Sequence, residues 1–271
     1  MSSHQQSANK ITVRKLLQMK TAEEKIVCLT AYDVSFATLL DDAGVDVVLV
    51  GDSLGMVIQG LENTLPVTMD DMVYHSRCVA RGLKRSLLMV DMPFMSHITP
   101  QVALQNAGRL MKESGAQIVK LEGGSEQREV VMALTSNGIP VCAHLGLQPQ
   151  RVHKLGGYRV QGREADVAER MLTEAGILEQ AGADVLLLEC VPAELATKIT
   201  KAVSIPVIGI GAGAGVDGQI LVLQDILGIT PGRAPKFSKD FMAGADSIQA
   251  AIQHYIAAVK AKSFPQQEHI F

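Results

Sequence analysis

Three stretches of this chain share one short grammar: Ala43-Gly44-Val45-Asp46, Ser114-Gly115-Ala116-Gln117 and Ala181-Gly182-Ala183-Asp184. Each reads as a helix end, a Gly stop and the start of a strand. A second phrase also recurs, since Asn137-Gly138-Ile139-Pro140-Val141 resembles Ser204-Ile205-Pro206-Val207. A chain that repeatedly stops a helix and enters a buried strand is building βα units. β-branched and Leu-rich runs supply the strands, because a strand buried on both faces is continuously apolar. Eight such runs are predicted, at residues 26–30, 45–50, 87–92, 117–122, 140–145, 184–189, 206–210 and 219–223. The last also suits part of a helix. Helical patterns are predicted at 35–43, 70–83, 100–114, 126–136 and 165–181, the last with Ala168, Met171, Leu172, Ala175 and Leu178 on one face. Eight strands with intervening helices over 271 residues predict a single (β/α)8 barrel spanning residues 1–271, with a doubly wound sheet as the structural alternative. A short polar tail is expected before it. After it, an amphipathic helix carries Ile248, Ala251, Ile252, Tyr255, Ile256 and Val259, to pack on the barrel or on a neighbouring subunit.

Composition narrows the functional classes. With 25 Lys+Arg against 28 Asp+Glu the formal charge is −3, which disfavours a dedicated nucleic-acid binder. No apolar run approaches the roughly 20 residues of a membrane span, and no signal-peptide core is visible. Four scattered Cys, with no Cys-x-x-Cys, fit a reducing cytoplasm better than a disulfide framework or a zinc module. The first 22 residues carry four basic residues and no acid. This reads as a polar tail and a short helix rather than a transit peptide.

Barrel active sites lie at the C-terminal ends of the strands. Here those ends carry Asp52-Ser53, Asp91, Lys120-Leu121-Glu122, His144 and Glu189. Side chains alternate along a strand, so Lys120 and Glu122 share a face. If that face is the interior, Asp52, Asp91, Glu122 and Glu189 converge. Four carboxylates in a partly buried volume need neutralising; Lys120 gives one positive charge and a divalent metal would give the rest. An all-oxygen set suits a hard ion such as Mg²⁺. His144 is either a satisfied core histidine or part of the site.

Two further segments stand out. The glycines of residues 209–215 follow strand seven. They could grip phosphate or simply admit close backbone approach, and they form no P-loop. The long segments 53–68 and 146–162 follow strands two and five. From Leu145 to Arg163 there is no acid, but Arg151, His153, Lys154, Arg159 and Arg163 are present. This is a solvated basic loop or a lid attracting an anionic substrate or cofactor.

Several motifs appear in one order: Leu29-Thr30-Ala31-Tyr32-Asp33, Val50-Gly51-Asp52-Ser53-Leu54-Gly55-Met56, Asp91-Met92-Pro93-Phe94 and Val119-Lys120-Leu121-Glu122-Gly123-Gly124. They continue with His144-Leu145-Gly146-Leu147, Leu155-Gly156-Gly157-Tyr158, Leu188-Glu189-Cys190-Val191-Pro192 and Ile208-Gly209-Ile210-Gly211-Ala212-Gly213. Together, over about residues 11–255, they closely resemble the ketopantoate hydroxymethyltransferase family. The resemblance implies a (β/α)8 TIM barrel of the phosphoenolpyruvate/pyruvate type. It implies transfer of a one-carbon unit from 5,10-methylenetetrahydrofolate to 3-methyl-2-oxobutanoate, giving 2-dehydropantoate on the way to pantothenate and coenzyme A. By motif it implies Asp52, Asp91 and Glu122 as ligands of one Mg²⁺ per subunit. Asp52, Ser53, Asp91, Lys120 and His144 become substrate-binding positions, and Glu189 the general base. A cytoplasmic homo-oligomer, often a decamer, is implied as well. The alternatives are a folate-independent lyase or aldolase acting on another α-keto acid, and an inactive barrel serving as a scaffold.

Overall fold

A computed structural model describes residues 10–230 and 232–271. Eight parallel strands close into a barrel in sequence order, β1 Ile26–Thr30, β2 Val47–Val50, β3 Leu87–Asp91, β4 Ile118–Glu122, β5 Val141–Gly146, β6 Val185–Glu189, β7 Val207–Ile210 and β8 Gly218–Leu221. Closure is made by β1 on β8, with Val27 opposite Gln219 and Leu29 opposite Leu221. The barrel is therefore the architecture, and the open doubly wound sheet is excluded. The polar tail expected at the N-terminus falls in residues 1–9, outside the described residues.

The helices are α1 Val13–Thr21, α2 Val34–Ala43, α3 Leu54–Val57, α4 Met69–Ala80, α5 Pro100–Arg109, α6 Arg128–Ser136, α7 Val152–Leu155, α8 Ala165–Gln180, α9 Ala193–Ala202, α10 Leu223–Ile226 and α11 Ile248–Lys260. Their ends follow local chemistry. Asp33 caps α2 by accepting from Phe36 N, and Thr99 caps α5, where Pro100 opens the first turn. Gly44 and Gly182 end their helices at φ of 96° and 100°, a region open to Gly at no steric cost. Helix α5 runs into a π-turn, Leu110–Ser114, before Gly115.

The recurrent phrase has a second half that the periodicity does not reveal. The polar residue entering each strand hooks the strand before it. Asp46 Oδ2 accepts from Val27 N, Asp184 Oδ2 from Val141 N, Asp217 Oδ2 from Val207 N, and Gln117 Oε1 from Leu88 N. These N–H groups start β5 and β7 and belong to the second residue of β1 and of β3. Without a partner, each would be an unpaired donor at the bottom of the barrel.

The sequence expectation fails in two places. No helix separates β7 from β8; residues 211–217 make the connection alone. The glycines explain it, since a Cβ on Gly213 would stand 2.6 Å from the Cβ of Ala193 in α9. They serve close packing against α9. The eighth strand also stops at Leu221, and Leu223–Ile226 is helical. The outer layer at this seam is completed by α11, which packs on β1 and α2. Its Tyr255 is fully buried, with Oη 3.0 Å from the carbonyl oxygens of both Cys28 on β1 and Gln219 on β8, the two strands that close the barrel. Phe241 and Phe264 meet the Tyr255 ring edge-on.

Tyr255→Phe removes one buried hydroxyl. The expected cost is about 1–2 kcal/mol, seen as a fall of a few degrees in Tm. Tyr255→Ala adds a cavity and should cost about 3–5 kcal/mol. Equal melting of wild type and Tyr255→Phe would show that the hydroxyl does not hold the seam.

Candidate active site

The strand ends deliver their polar side chains to one place. Asp52, Ser53, Asp91, Lys120, Glu122, His144 and Glu189 all line a single cavity of about 570 Å³ at the C-terminal mouth. On β4 the alternation falls as expected. Lys120 and Glu122 face the cavity, while Val119 and Leu121 are buried in the apolar core. Asp52 follows β2 directly, and Ser53 leads into α3.

A buried ion pair organises the acids. Lys120 Nζ donates to Asp91 Oδ1 at 2.6 Å, and both side chains are buried. Asp91 Oδ2 accepts from Asp52 N at 3.0 Å. From the loop after β5, Gln150 ties two more acids together. Its backbone N donates to Glu122 Oε2 at 3.0 Å, and its Nε2 donates to Asp52 Oδ2 at 2.8 Å and to the Met92 carbonyl at 3.0 Å. Tyr32 Oη and Ser53 Oγ are 2.8 Å apart. His144 stands between the remaining acids, with Nε2 3.3 Å from Glu189 Oε2 and Nδ1 3.7 Å from Glu122 Oε1. Neither contact is a well-directed hydrogen bond, so both ring nitrogens and Glu122 Oε1 lack a partner within the protein.

Burial sets the protonation of the group. It pushes the Asp52 carboxyl up to about 7, helped by the charge of Asp91 and opposed by Lys120. Burial pushes Glu189 up to about 7 as well, against the pull of Lys120. Glu122 is raised well above the usual carboxylate range by burial and then by Asp52. Burial alone would lower Lys120, but Asp91, Glu122 and Asp52 outweigh it and keep the ammonium charged. His144 is held well below its ordinary value by burial and by Lys120, so it is a neutral imidazole.

The donor chemistry fits a hard divalent cation. All the acids offer oxygen, and one buried carboxylate oxygen of Glu122 has no partner. Among the described residues, no three His, Cys, Asp or Glu side chains are already arranged to hold an ion. Lys120 and Gln150 occupy oxygens of Asp91 and Asp52 instead. This agrees with the habit of Mg²⁺, which takes one or two carboxylates and fills its shell with water or substrate oxygens.

The basic loop behaves differently from a cationic lid. Arg151 is paired with Glu126 and lines a separate small cavity with His97. Lys154, Arg159 and Arg163 do not line the main cavity; the loop contributes Leu147, Pro149, Tyr158 and Val160 to it. Sequence reasoning missed Gln150, because a glutamine in a loop carries no signal of its own. Tyr32 was visible only as a letter in the motif after the first strand.

Comparison with known proteins follows the same lines. Residues 10–267 match the family described as ketopantoate hydroxymethyltransferase. The chain is 61% identical over 266 residues to the 3-methyl-2-oxobutanoate hydroxymethyltransferase of Alkalilimnicola ehrlichii, covering 98% of this chain and 96% of the relative. It is 61% identical over 259 residues to that of Nitrosococcus oceani, covering 96% and 98%. Among solved structures, phosphonopyruvate hydrolase superposes with a TM-score of 0.62 at 13% identity, covering 92% of this chain and 98% of that one. For 2,3-dimethylmalate lyase, a member of the PEP mutase/isocitrate lyase superfamily, the values are 0.56 and 16%, covering 77% and 80%. These two speak for the fold alone. By sequence over nearly its whole length, the chain belongs to the ketopantoate hydroxymethyltransferase family.

Proposed function

We propose that this enzyme transfers a hydroxymethyl group from 5,10-methylenetetrahydrofolate to 3-methyl-2-oxobutanoate, forming 2-dehydropantoate. The observation that carries this reading is the convergence of Asp52, Asp91, Glu122, Lys120 and Glu189 on one cavity. The reaction must remove a proton from the carbon beside a ketone and stabilise the charge that results. Asp52, Asp91 and Glu122 would hold Mg²⁺, which when bound supplies Lewis-acid polarisation of the keto acid. Lys120, kept charged by Asp91, places its ammonium beside the developing oxyanion. Glu189 takes the proton. Its carboxyl, raised to about 7, is basic enough to accept it and still largely ionised just above neutrality. Neutral His144, with Nε2 3.3 Å from Glu189 Oε2, sits beside the base without bringing a second positive charge to it. Ser53, held by Tyr32, is placed to bind the keto acid. The deprotonated carbon bonds to the methylene carbon as one of its two bonds to folate nitrogen breaks; water then forms the C–O bond as the second methylene–nitrogen bond breaks, and the two folate nitrogens take up the protons given by the keto acid and by water.

We place the enzyme in the cytoplasm as a homo-oligomer, a decamer by analogy with its family. Four free cysteines support a reducing compartment. Exposed Met56 in α3, Ile58 just after it, and Phe94, Met95 and Ile98 on the loop after β3 support association. No helix among the described residues is long and apolar enough to cross a membrane.

Turnover should require the keto acid, methylenetetrahydrofolate and Mg²⁺, each omitted in turn from one assay. Turnover without the folate would favour the lyase or aldolase reading instead. Proton removal needs no one-carbon donor, so the wild type should exchange the substrate C–H for deuterium in D₂O. Glu189→Gln should lose exchange and turnover by roughly 10²–10⁴-fold while keto-acid affinity changes little. Exchange undiminished in Glu189→Gln would move the base elsewhere, to His144 first.

The raised carboxyls also make metal binding proton-linked. In the folded protein Asp52 and Glu189 keep their protons up to about pH 7, whereas the unfolded chain releases them near 4. The folded state thus binds more protons across that window, and the stability of the metal-free protein falls as pH rises through it. A cation offsets the same repulsion. The rise in Tm on adding Mg²⁺ is expected to be larger at about pH 8 than at about pH 5.5. A rise that is equal at both values, or larger in acid, would take these acids out of the metal site.

A further inference from the structure

The acids occupy only part of the cavity. They come from the ends of β2 to β6, while the arc formed by β7, β8 and β1 brings none of them. A keto acid no larger than a valine residue does not fill about 570 Å³, a volume suited to a drug-sized ligand. Beyond the acids, the cavity is walled by Asp225 of α10 and by Thr230, Arg233, Lys236 and Phe237 of the segment that follows. Helix α10 is docked to the barrel end by Leu223 N donating to Thr30 Oγ1 at 3.0 Å.

This wall has a chemistry that the keto acid and the metal leave unused. Asp225 is only 6% exposed. Its Oδ1 accepts from the Thr230 hydroxyl, and no hydrogen bond reaches its Oδ2 among the described residues. Burial pushes the carboxyl upward, with only the Thr230 hydroxyl to oppose it. A carboxylate edge left open in a pocket wall is the complement of a ligand edge with two N–H donors, as in bidentate recognition. Phe237, with Phe271 beside it against Gly211, offers a flat apolar surface. Arg233 and Lys236 are exposed at the rim and supply positive charge there. The ligand described by this wall has a flat N–H-rich heterocycle at one end and carboxylates at the other.

Resting on the activity proposed above, we infer that this half of the cavity is the folate subsite. Asp225 receives the amino and ring N–H groups of the pterin, Phe237 packs on its face, and Arg233 and Lys236 take the glutamate carboxylates. The basic loop after β5 is not the tail's site, because its Arg151 is engaged by Glu126 and its other cations stay outside the cavity. A donor on this wall and a keto acid at the acids share one enclosure, as a transfer between them requires.

The test uses the full-length, Mg²⁺-loaded enzyme and calorimetry with three probes: tetrahydrofolate, tetrahydropteroate, which lacks the glutamate, and 3-methyl-2-oxobutanoate. Asp225→Asn should bind both pterins roughly tenfold to a hundredfold more weakly, the span expected for one hydrogen bond to a charged group. Its keto-acid affinity should stay within about twofold of wild type, a shift well under one hydrogen bond. The double variant Arg233→Ala/Lys236→Ala should weaken tetrahydrofolate and leave tetrahydropteroate unchanged. Wild type that binds keto acid but neither pterin would overturn the folate-dependent activity itself. Wild type that binds tetrahydrofolate, with Asp225→Asn binding it equally well, would overturn the subsite and leave the activity standing. Asp225→Asn losing keto acid and pterin alike would overturn it too, by making Asp225 structural.

Discussion

The contact between Lys120 and Asp91 is the interaction on which the mouth of this barrel depends. Each ion carries a desolvation cost of several kcal/mol, recovered only with good geometry and further hydrogen bonds. Here the 2.6 Å contact is joined by the Asp52 amide on the second oxygen of Asp91. The pair fixes one positive charge among four carboxylates. That charge opposes the rise of Asp52, Glu122 and Glu189 and helps to keep His144 neutral. Its removal would leave Asp91 buried without its charged partner, and its neighbours without the charge that opposes their rise.

The same residue type does opposite work at the two ends of the strands. Where strands begin, Asp46, Asp184 and Asp217 each satisfy an N–H in the first two residues of the preceding strand. Asp46 and Asp217 are further matched by Arg85 and Lys20. These carboxylates have partners and close a structural account. Where strands end, the carboxylates outnumber their partners, and Glu122 keeps a buried oxygen with none. An acid that the fold satisfies stabilises the barrel; an acid that the fold leaves short is available to a ligand. Asp225 belongs to the second group, although it lies on a helix beyond β8 rather than on a strand end.

This division also explains what could be read from the chain. The strands were legible because burial on both faces demands unbroken apolar runs, and the Gly stops at 44, 115 and 182 mark where they begin. The acids at residues 52, 91, 122 and 189 were legible because a strand end converts a position in sequence into a position in space. The β7–β8 connection was not, because a chain without a helix there differs from one with it only in glycines, whose reason is the neighbouring Ala193. Gln150 was hidden for a similar cause. Its two acid contacts come from β2 and β4, far away in sequence, and arise only once the loop folds over the mouth. The pairing of Arg151 was hidden too, because charge counted along a segment ignores pairing across it, and Glu126 lies before the segment begins.

In the reaction proposed above, the base and the cation-binding acids lie on different strands, and that placement solves a chemical conflict. A general base must keep a lone pair free and a pKa near the working pH, whereas a metal ligand must surrender both. Glu189 on β6 is separated from Glu122 on β4 by β5, whose His144 stands between them. A charged imidazole there would draw both carboxylates toward ionisation and weaken the base. Burial and Lys120 keep it neutral, so it stands between the two acids without lowering the basicity of Glu189. The barrel supplies this separation through its register. Glu122 lies opposite His144, and the next residue pairs along the ladder bring Glu189 opposite Gly146, a position with no side chain to crowd the base. A Cβ at Gly146 would stand 2.7 Å from Val191 and 3.1 Å from the Glu189 amide nitrogen, so the glycine is what lets β5 and the base-bearing end of β6 lie this close.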